Sequence, residues 1–289
     1  MSEGATFPFT TTNSLLEIIA EIRRGVSHEE LIVRLTRGDT IKPNVVQNAL
    51  DLALRLLLMI DAGGFANAYS GREQDCATWH NGAVDVFLKQ IPLFSGIHNS
   101  PCADDVKFNA KFNAANLERI AFLEVKLTTN LNDHLILEKN SAPKTVYIFH
   151  HATFLQCHQG VNNPFPNGFV VETLWTLALL FPQGDEQVAR WFKNKYRREN
   201  LDLRVLKSGS IERRLSKYTY WRDRLVDLKE EFDSSEPQTL SQWLYGGRRD
   251  AQWWAVWIAV FFTVLFGLIQ SIEGALQVYK AFVPSSAPS

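Results

Sequence analysis

The sequence predicts a mainly α-helical protein with a small central β-sheet and a single transmembrane helix near its C-terminus. Three observations support this fold class. Helix-capping patterns followed by apolar residues at helical spacing occur in the first sixty residues. Short β-type runs lie between residues 122 and 149. Residues 253–272 contain no formal charge, and about twenty apolar residues are the length that crosses a bilayer's hydrocarbon core.

Composition limits the classes of function. The chain has 289 residues, of which 46% are apolar and 21% charged, as in a folded protein. Its net charge of −1 gives no overall bias toward nucleic acid. The three cysteines are odd in number and widely spaced, and the N-terminal residues lack a signal-peptide pattern, so we expect the body in a reducing compartment.

Residues 1–60 are predicted to form an N-terminal helical unit. Two capping boxes, at residues 14–17 and 27–30, predict helices that end near Gly25 and Gly38. Pro43 suits the first turn of a third helix. Residues 61–80 are rich in glycine and polar residues and are interpreted as a flexible connector, because no Gly-Lys-Ser/Thr follows to make a phosphate loop.

Residues 81–182 are predicted to be a mixed α/β body. Helices are expected at residues 83–90, 104–119, 151–158 and 169–181. Strands are expected at residues 122–127, 134–137 and 145–149, with turn clusters between them. The apolar run at 169–181 contains Glu172 and is too short to span a bilayer.

Four histidines of this body are the only candidate acid–base residues: His134, His150, His151 and His158. Cys157 adjoins the last of them, but structural zinc sites need four ligands in tight pairs. A strand end followed by a partly buried helix explains these residues more simply, and the sequence predicts no metal and no cofactor. Known catalytic motifs do not occur.

Residues 183–250 form a basic helical segment in the sequence-based interpretation. A helix is expected at 185–198, followed by an apolar seam: Ile211, Tyr218, Trp221, Leu225, Leu228 and Phe232. The seam is flanked by the cations Arg213, Arg214, Lys217, Arg222 and Arg224. Such a helix packs on its own domain, pairs with a partner helix, or lies on an anionic membrane surface. Its position before the apolar helix favours contact with anionic lipid. Nucleic-acid binding is not expected, because no recognition motif accompanies the charge.

Residues 251–282 are predicted to contain the transmembrane helix and its extension, and residues 283–289 a short tail. Aromatic residues suited to the membrane interface lie at its two ends: Trp253, Trp254, Trp257 and Tyr279. The pair Arg248–Arg249 predicts a cytosolic N-terminal body under the positive-inside rule. A ridge of small residues predicts packing against a second copy or another membrane helix: Ala259, Thr263, Gly267 and Ser271. The identity of the membrane stays open.

Motifs in the C-terminal third are similar to those of a known group of proteins. They are YWRDRL at 220–225, EFD at 231–233, the arginine pair at 248–249, QW at 252–253 and FGLIQS at 266–271. The chain resembles an uncharacterised filamentous-fungal family with a YWRDRL-like helix and one C-terminal transmembrane helix. This resemblance implies the same architecture, but no assigned substrate or catalytic residue. Some such proteins accompany specialised-metabolite pathways.

Two functions are therefore expected as alternatives. The first is a membrane-anchored interaction or scaffold protein with a cytosolic body. The second is an enzyme or accessory protein of a fungal specialised-metabolite pathway that acts at a membrane. The absence of a catalytic motif favours the first.

Overall fold

A computed structural model describes residues 12–36, 43–63, 77–94, 106–160, 163–197, 201–235 and 251–282. The chain divides into two compact units, residues 1–236 and 237–289. The first unit is mainly helical with one three-stranded sheet, which confirms the predicted fold class. The observed division lies inside the predicted segment 183–250, and the finer predicted segments stay a prediction.

The described residues form ten α-helices. They are α1 (Thr12–Arg23), α2 (His28–Thr36), α3 (Pro43–Leu58), α4 (Val84–Gln90), α5 (Ala114–Arg119), α6 (Ala152–Cys157), α7 (Phe169–Leu180), α8 (Glu186–Lys195), α9 (Arg222–Asp233) and α10 (Ala251–Phe282). Short 3₁₀ turns occupy Pro92–Phe94, Leu131–Asp133, Leu203–Lys207 and Leu215–Lys217.

The N-terminal helices begin close to the predicted caps. Ser27 precedes α2, and its hydroxyl accepts the backbone N–H of Glu30 at 3.3 Å, as a capping box requires. The helix α3 begins at Pro43 as predicted. The helix α1 begins at Thr12, so Ser14 lies inside the helix and not at its cap.

The sheet has the strand order β1-β3-β2. Strand β1 (Glu124–Thr128) pairs in parallel with β3 (Thr145–Phe149), and β2 (Leu137–Glu138) pairs antiparallel with the other edge of β3. Four of the five residues of β3 are buried, so this central strand is packed on both faces.

The strand predicted at residues 134–137 is shorter than expected. Residues Leu131–Asp133 form a 3₁₀ turn, and Leu135 adopts a positive φ of 62°. Only Leu137–Glu138 continues as β2. The turn places His134 inside the body.

The helix predicted at residues 104–119 is confirmed only at its end. Residues 104 and 105 lie outside the described part of the chain, and residues 106–108 are extended: the N–H of Phe108 donates to the carbonyl of Arg213 at 2.8 Å. Helix α5 begins later because the Asn113 side chain accepts the N–H of Asn116 and caps it.

The prediction of a single helix through residues 211–232 is wrong. A 3₁₀ turn at Leu215–Lys217 is followed by a break, and α9 begins only at Arg222. Four of the six seam residues are nevertheless buried, namely Tyr218, Trp221, Leu225 and Leu228, and Ile211 and Phe232 are partly buried against the same core. The seam therefore packs on its own domain, which is the first of the three arrangements that the sequence allowed.

The apolar run at 169–181 forms α7, which is buried on nearly all sides. The segment predicted as a flexible connector is attached at both described ends. Ala62 pairs with Ala77, and the Trp79 side chain is 1% exposed. Residues 64–76, between those ends, lie outside the described residues.

Candidate functional site

Helix α10 exposes an apolar surface along its described length. It contains 32 residues, and at about 1.5 Å per residue it is roughly 48 Å long. The window Ile258–Val278 has 21 residues, a mean hydropathy of 1.8, and no residue buried within the protein. This is one helix that is long and apolar enough to cross a membrane. The window begins five residues after the start of the predicted span, 253–272, and it includes Glu273.

The predicted small-residue ridge is exposed on this helix. Ala259, Thr263, Gly267 and Ser271 all belong to the exposed class. The Thr263 hydroxyl donates to the carbonyl of Ala259 at 2.8 Å, so its polar group has a partner within the helix. A side chain added at Gly267 would meet nothing within 4 Å. Close packing at this residue therefore requires another molecule.

The predicted interfacial aromatics belong to the helix, but their side chains lie outside the described part of the structure. They are Trp253, Trp254, Trp257 and Tyr279. The tail at 283–289 also lies outside the described residues, so both assignments stay predictions.

His134 is committed to hydrogen bonds inside the body. Its Nδ1 accepts the N–H of Phe149 at 3.1 Å, so Nε2 carries the proton and donates to the Thr176 hydroxyl at 2.7 Å. Burial, reinforced by the Arg224 guanidinium, holds the pKa of His134 well below its usual value. The neutral ring therefore connects β3 to α7 and offers no free nitrogen.

His158 also uses both ring nitrogens. Its Nδ1 lies 2.9 Å from the carbonyl of Phe154, which only accepts, so Nδ1 carries the proton. Its Nε2 accepts from the Arg23 guanidinium at 3.1 Å. Burial, together with Arg23, lowers the pKa of His158. This histidine ties α1 to the end of α6.

The rings of His150 and His151 contact each other at a tilt of 35° where β3 leads into α6. Their ring centroids are 4.0 Å apart. His150 is 4% exposed and its Nδ1 has no hydrogen-bond partner, and Nε2 of His151 is likewise buried without one. Burial, with a smaller contribution from His151, lowers the pKa of His150 to about 4. Of the four predicted histidines, only this pair keeps nitrogens that are without a partner.

No metal site is formed by the described residues, since they contain no group of three or more His, Cys, Asp or Glu side chains able to hold an ion. A cavity of about 290 Å³ lies between α5 and α8. Its lining residues are Asn113, Ala115, Asn116, Glu118, Arg119, Gln187, Val188 and Trp191. None of the four predicted histidines reaches it.

A buried polar chain was missed by the sequence-based reasoning. Nε2 of His28 lies 2.9 Å from Oε1 of Gln47, whose amide nitrogen donates to Oδ1 of Asp51 at 2.9 Å. Burial raises the pKa of Asp51. A Cβ at Gly63 would lie 2.2 Å from Oδ2 of Asp51, so only glycine fits there. The four-residue spacing of Gln47 and Asp51 on α3 was a local signal, whereas nothing in the sequence pointed to His28.

The predicted basic residues fall into two groups. Arg224 donates to the carbonyls of Asn132 and His134 at 2.7 and 2.6 Å, so it holds the 3₁₀ turn before β2. Arg222 is half-buried at the start of α9. The remaining three lie before α9 in the sequence: Arg213, Arg214 and Lys217.

Comparison with known proteins does not identify the chain. No protein-family model, curated protein or solved structure matches it. The resemblance to the filamentous-fungal group therefore stays a prediction.

The His150 pair has a testable consequence for stability. The free energy of unfolding should fall by up to about 3 kcal/mol as the pH decreases from 6.5 to about 4, because unfolded His150 takes up a proton that the buried ring excludes. This contribution is fully present above pH 6.5. We expect His150→Gln to lose this part of the pH dependence, measured by urea unfolding of the full chain in detergent with tryptophan fluorescence.

The matched control is His80→Gln, which removes an exposed histidine and should retain the native pH dependence between 6.5 and 4. Identical pH profiles for the native protein and His150→Gln would contradict the assignment of this acid sensitivity to His150.

Proposed function

We propose that this chain is a single-pass membrane protein whose first unit lies in the cytosol and serves as an interaction or scaffold module. The observation that carries the proposal is the exposed apolar surface of α10. Large apolar side chains are exposed along the window Ile258–Val278. A continuous surface of this kind is unfavourable in water and is matched by lipid.

The polar groups of α10 suit a lipid environment. A continuous α-helix satisfies its backbone hydrogen bonds internally, which is what a hydrocarbon surrounding requires. The hydroxyl of Thr263 also donates within the helix. By contrast, the other apolar helix, α7, is buried within the first unit and needs no lipid.

The cytosolic orientation rests on charge and redox chemistry. Arg248 and Arg249 precede α10 with only Asp250 between the pair and the helix, and a basic flank stays on the cytosolic side of a membrane. Cys157 is free and exposed, which suits a reducing compartment.

An interaction role is favoured over catalysis by how the body uses its histidines. His134 and His158 have both nitrogens engaged in bonds between separate elements. The partner that we propose for α10 is a second copy of the chain, packed along the ridge at 259–271. Small residues let two helix backbones approach closely in lipid.

Insertion of α10 is tested by Leu265→Arg combined with Leu268→Arg. Both leucines are exposed near the centre of the window Ile258–Val278, and two arginines at that depth cost about 5–7 kcal/mol in insertion experiments. We expect the native protein to stay in the membrane pellet after alkaline carbonate extraction and the variant to move to the supernatant.

Leu203→Arg is the matched control, because Leu203 is also an exposed leucine and belongs to the first unit. It should leave the protein in the pellet. A native protein that is fully extracted by carbonate would refute membrane insertion.

Self-association is tested by Gly267→Leu combined with Ser271→Leu, measured by energy transfer between labelled copies in lipid vesicles. Bulk on the ridge should weaken association about tenfold, equivalent to roughly 1.4 kcal/mol. Ile269→Phe adds bulk on the opposite face of α10 and should have little effect. Full energy transfer in the double variant would reject the ridge as the interface.

A second candidate function is an enzyme or accessory protein of a fungal specialised-metabolite pathway that acts at a membrane. One observation favours it: His150 and His151 keep buried nitrogens without a partner beside each other. A nitrogen of this kind is able to exchange a proton with a polar group of an otherwise apolar ligand.

Metabolite profiling separates the two functions. Under the second candidate, deletion of the gene removes one product, which the native gene restores and His150→Ala with His151→Ala does not. Cys157→Ala, in the same helix region, is the control and should restore the product. Restoration by the double variant would exclude this histidine chemistry.

A further inference from the structure

Two segments far apart in the sequence bring their cations together on the first unit. Lys107 pairs in antiparallel fashion with Arg214. The N–H of Phe108 donates to the carbonyl of Arg213 at 2.8 Å, and the N–H of Leu215 donates to the carbonyl of Val106 at 3.0 Å. The two extended segments therefore form one surface, which no local pattern predicts.

The surface is strongly basic and firmly supported. We use the name basic surface for the part of the two segments that carries five cations: Lys107, Lys111, Arg213, Arg214 and Lys217. Among the described residues of the two segments, 106–111 and 211–217, the one carboxylate is Glu212, which accepts from the Arg214 side chain at 3.3 Å. The Arg213 guanidinium donates to the carbonyl of Asn109 at 2.9 Å, so it joins the two segments.

The underside of the basic surface is part of the hydrophobic core. The same two segments carry buried side chains of the core: Phe108, Phe112, Leu215 and Tyr218. The rings of Phe108 and Phe112 are 4.9 Å apart, and the ring of Phe108 lies 6.2 Å from that of Tyr218. The backbone that carries the cations is therefore held by the core. Four of the cations have exposed side chains: Lys107, Lys111, Arg214 and Lys217.

We propose that the basic surface contacts the anionic lipid headgroups of the same bilayer that α10 spans. The inference rests on the proposed membrane insertion and replaces the sequence-based set, since Arg224 is engaged inside the body. Cations attract an anionic leaflet additively and over about one Debye length, close to 8 Å at physiological salt.

The short connection between the first unit and α10 favours lipid over a soluble molecule as the partner. Only residues 234–250 connect α9 to α10, and at about 3.5 Å per residue they span at most roughly 60 Å. The first unit therefore stays permanently near the headgroups, which raises their effective concentration at the basic surface.

The test uses the full chain in lipid nanodiscs, where both membrane faces are accessible. The nanodiscs contain either phosphatidylcholine alone or phosphatidylcholine with about 30 mol % phosphatidylserine, enough for an anionic surface potential. Exposed lysines are briefly acetylated, and the acetylation rate of each lysine is measured by mass spectrometry. Lys89 and Lys193, exposed on α4 and α8, are internal controls.

We expect acetylation of Lys107, Lys111 and Lys217 to slow about threefold or more in the anionic nanodiscs and to recover at high salt, because screening weakens the contact. The rates at Lys89 and Lys193 should not change. Lys107→Gln combined with Lys111→Gln should return Lys217 toward its rate in phosphatidylcholine, whereas Lys89→Gln combined with Lys193→Gln should not.

Equal rates in the two lipids overturn the inference, and so does slowing in the anionic nanodiscs that persists at high salt, because screening weakens a contact made by charge. If the chain resists carbonate extraction but shows equal rates, the membrane insertion stands and only the lipid contact fails. If the chain does not enter nanodiscs at all, both fail together.

Discussion

The body of the protein depends on a carboxylate that α7 carries into the core. Glu172 is 5% exposed, and its two oxygens accept the backbone N–H groups of Thr219 and Trp221, each at 2.8 Å. A buried charge or carboxyl group is tolerated only when it is hydrogen-bonded in this way. These bonds join residues almost fifty positions apart, and they decide where the chain turns before α9.

The consequences of that turn reach the candidate site. Trp221 donates its indole N–H to the Thr173 hydroxyl, and its ring packs edge-on against His134 at 4.7 Å. Arg224, one turn later on α9, donates to the carbonyl of His134. His134, which the sequence predicted as an acid–base candidate, therefore stabilises the fold of the body. The groups left for function are the histidine pair at 150–151, the basic surface, and α10.

Local patterns predicted the elements whose partners are close in sequence. The cap at Ser27, the proline start of α3 and the central strand β3 follow from short windows, because neighbouring residues supply their hydrogen bonds or burial. The failures at 104–119 and 211–221 share one cause. Backbone groups there bond to distant partners, and those bonds override helical spacing. Four seam residues were still identified correctly as buried: Tyr218, Trp221, Leu225 and Leu228. The burial of an apolar side chain depends less on the local backbone conformation than the formation of a helix does.

The sequence by itself determined the apolar helix near the C-terminus, since twenty residues of uncharged hydrophobic chain define their own environment through length and composition alone. It also determined the fold class, through periodicity and caps. Tertiary structure alone decided that His134 and His158 are internal supports while His150 and His151 keep unpartnered nitrogens. It alone placed Lys107 opposite Arg214. The physical reason is that these outcomes depend on hydrogen bonds between residues from 42 to 135 positions apart, which no short window of the sequence contains.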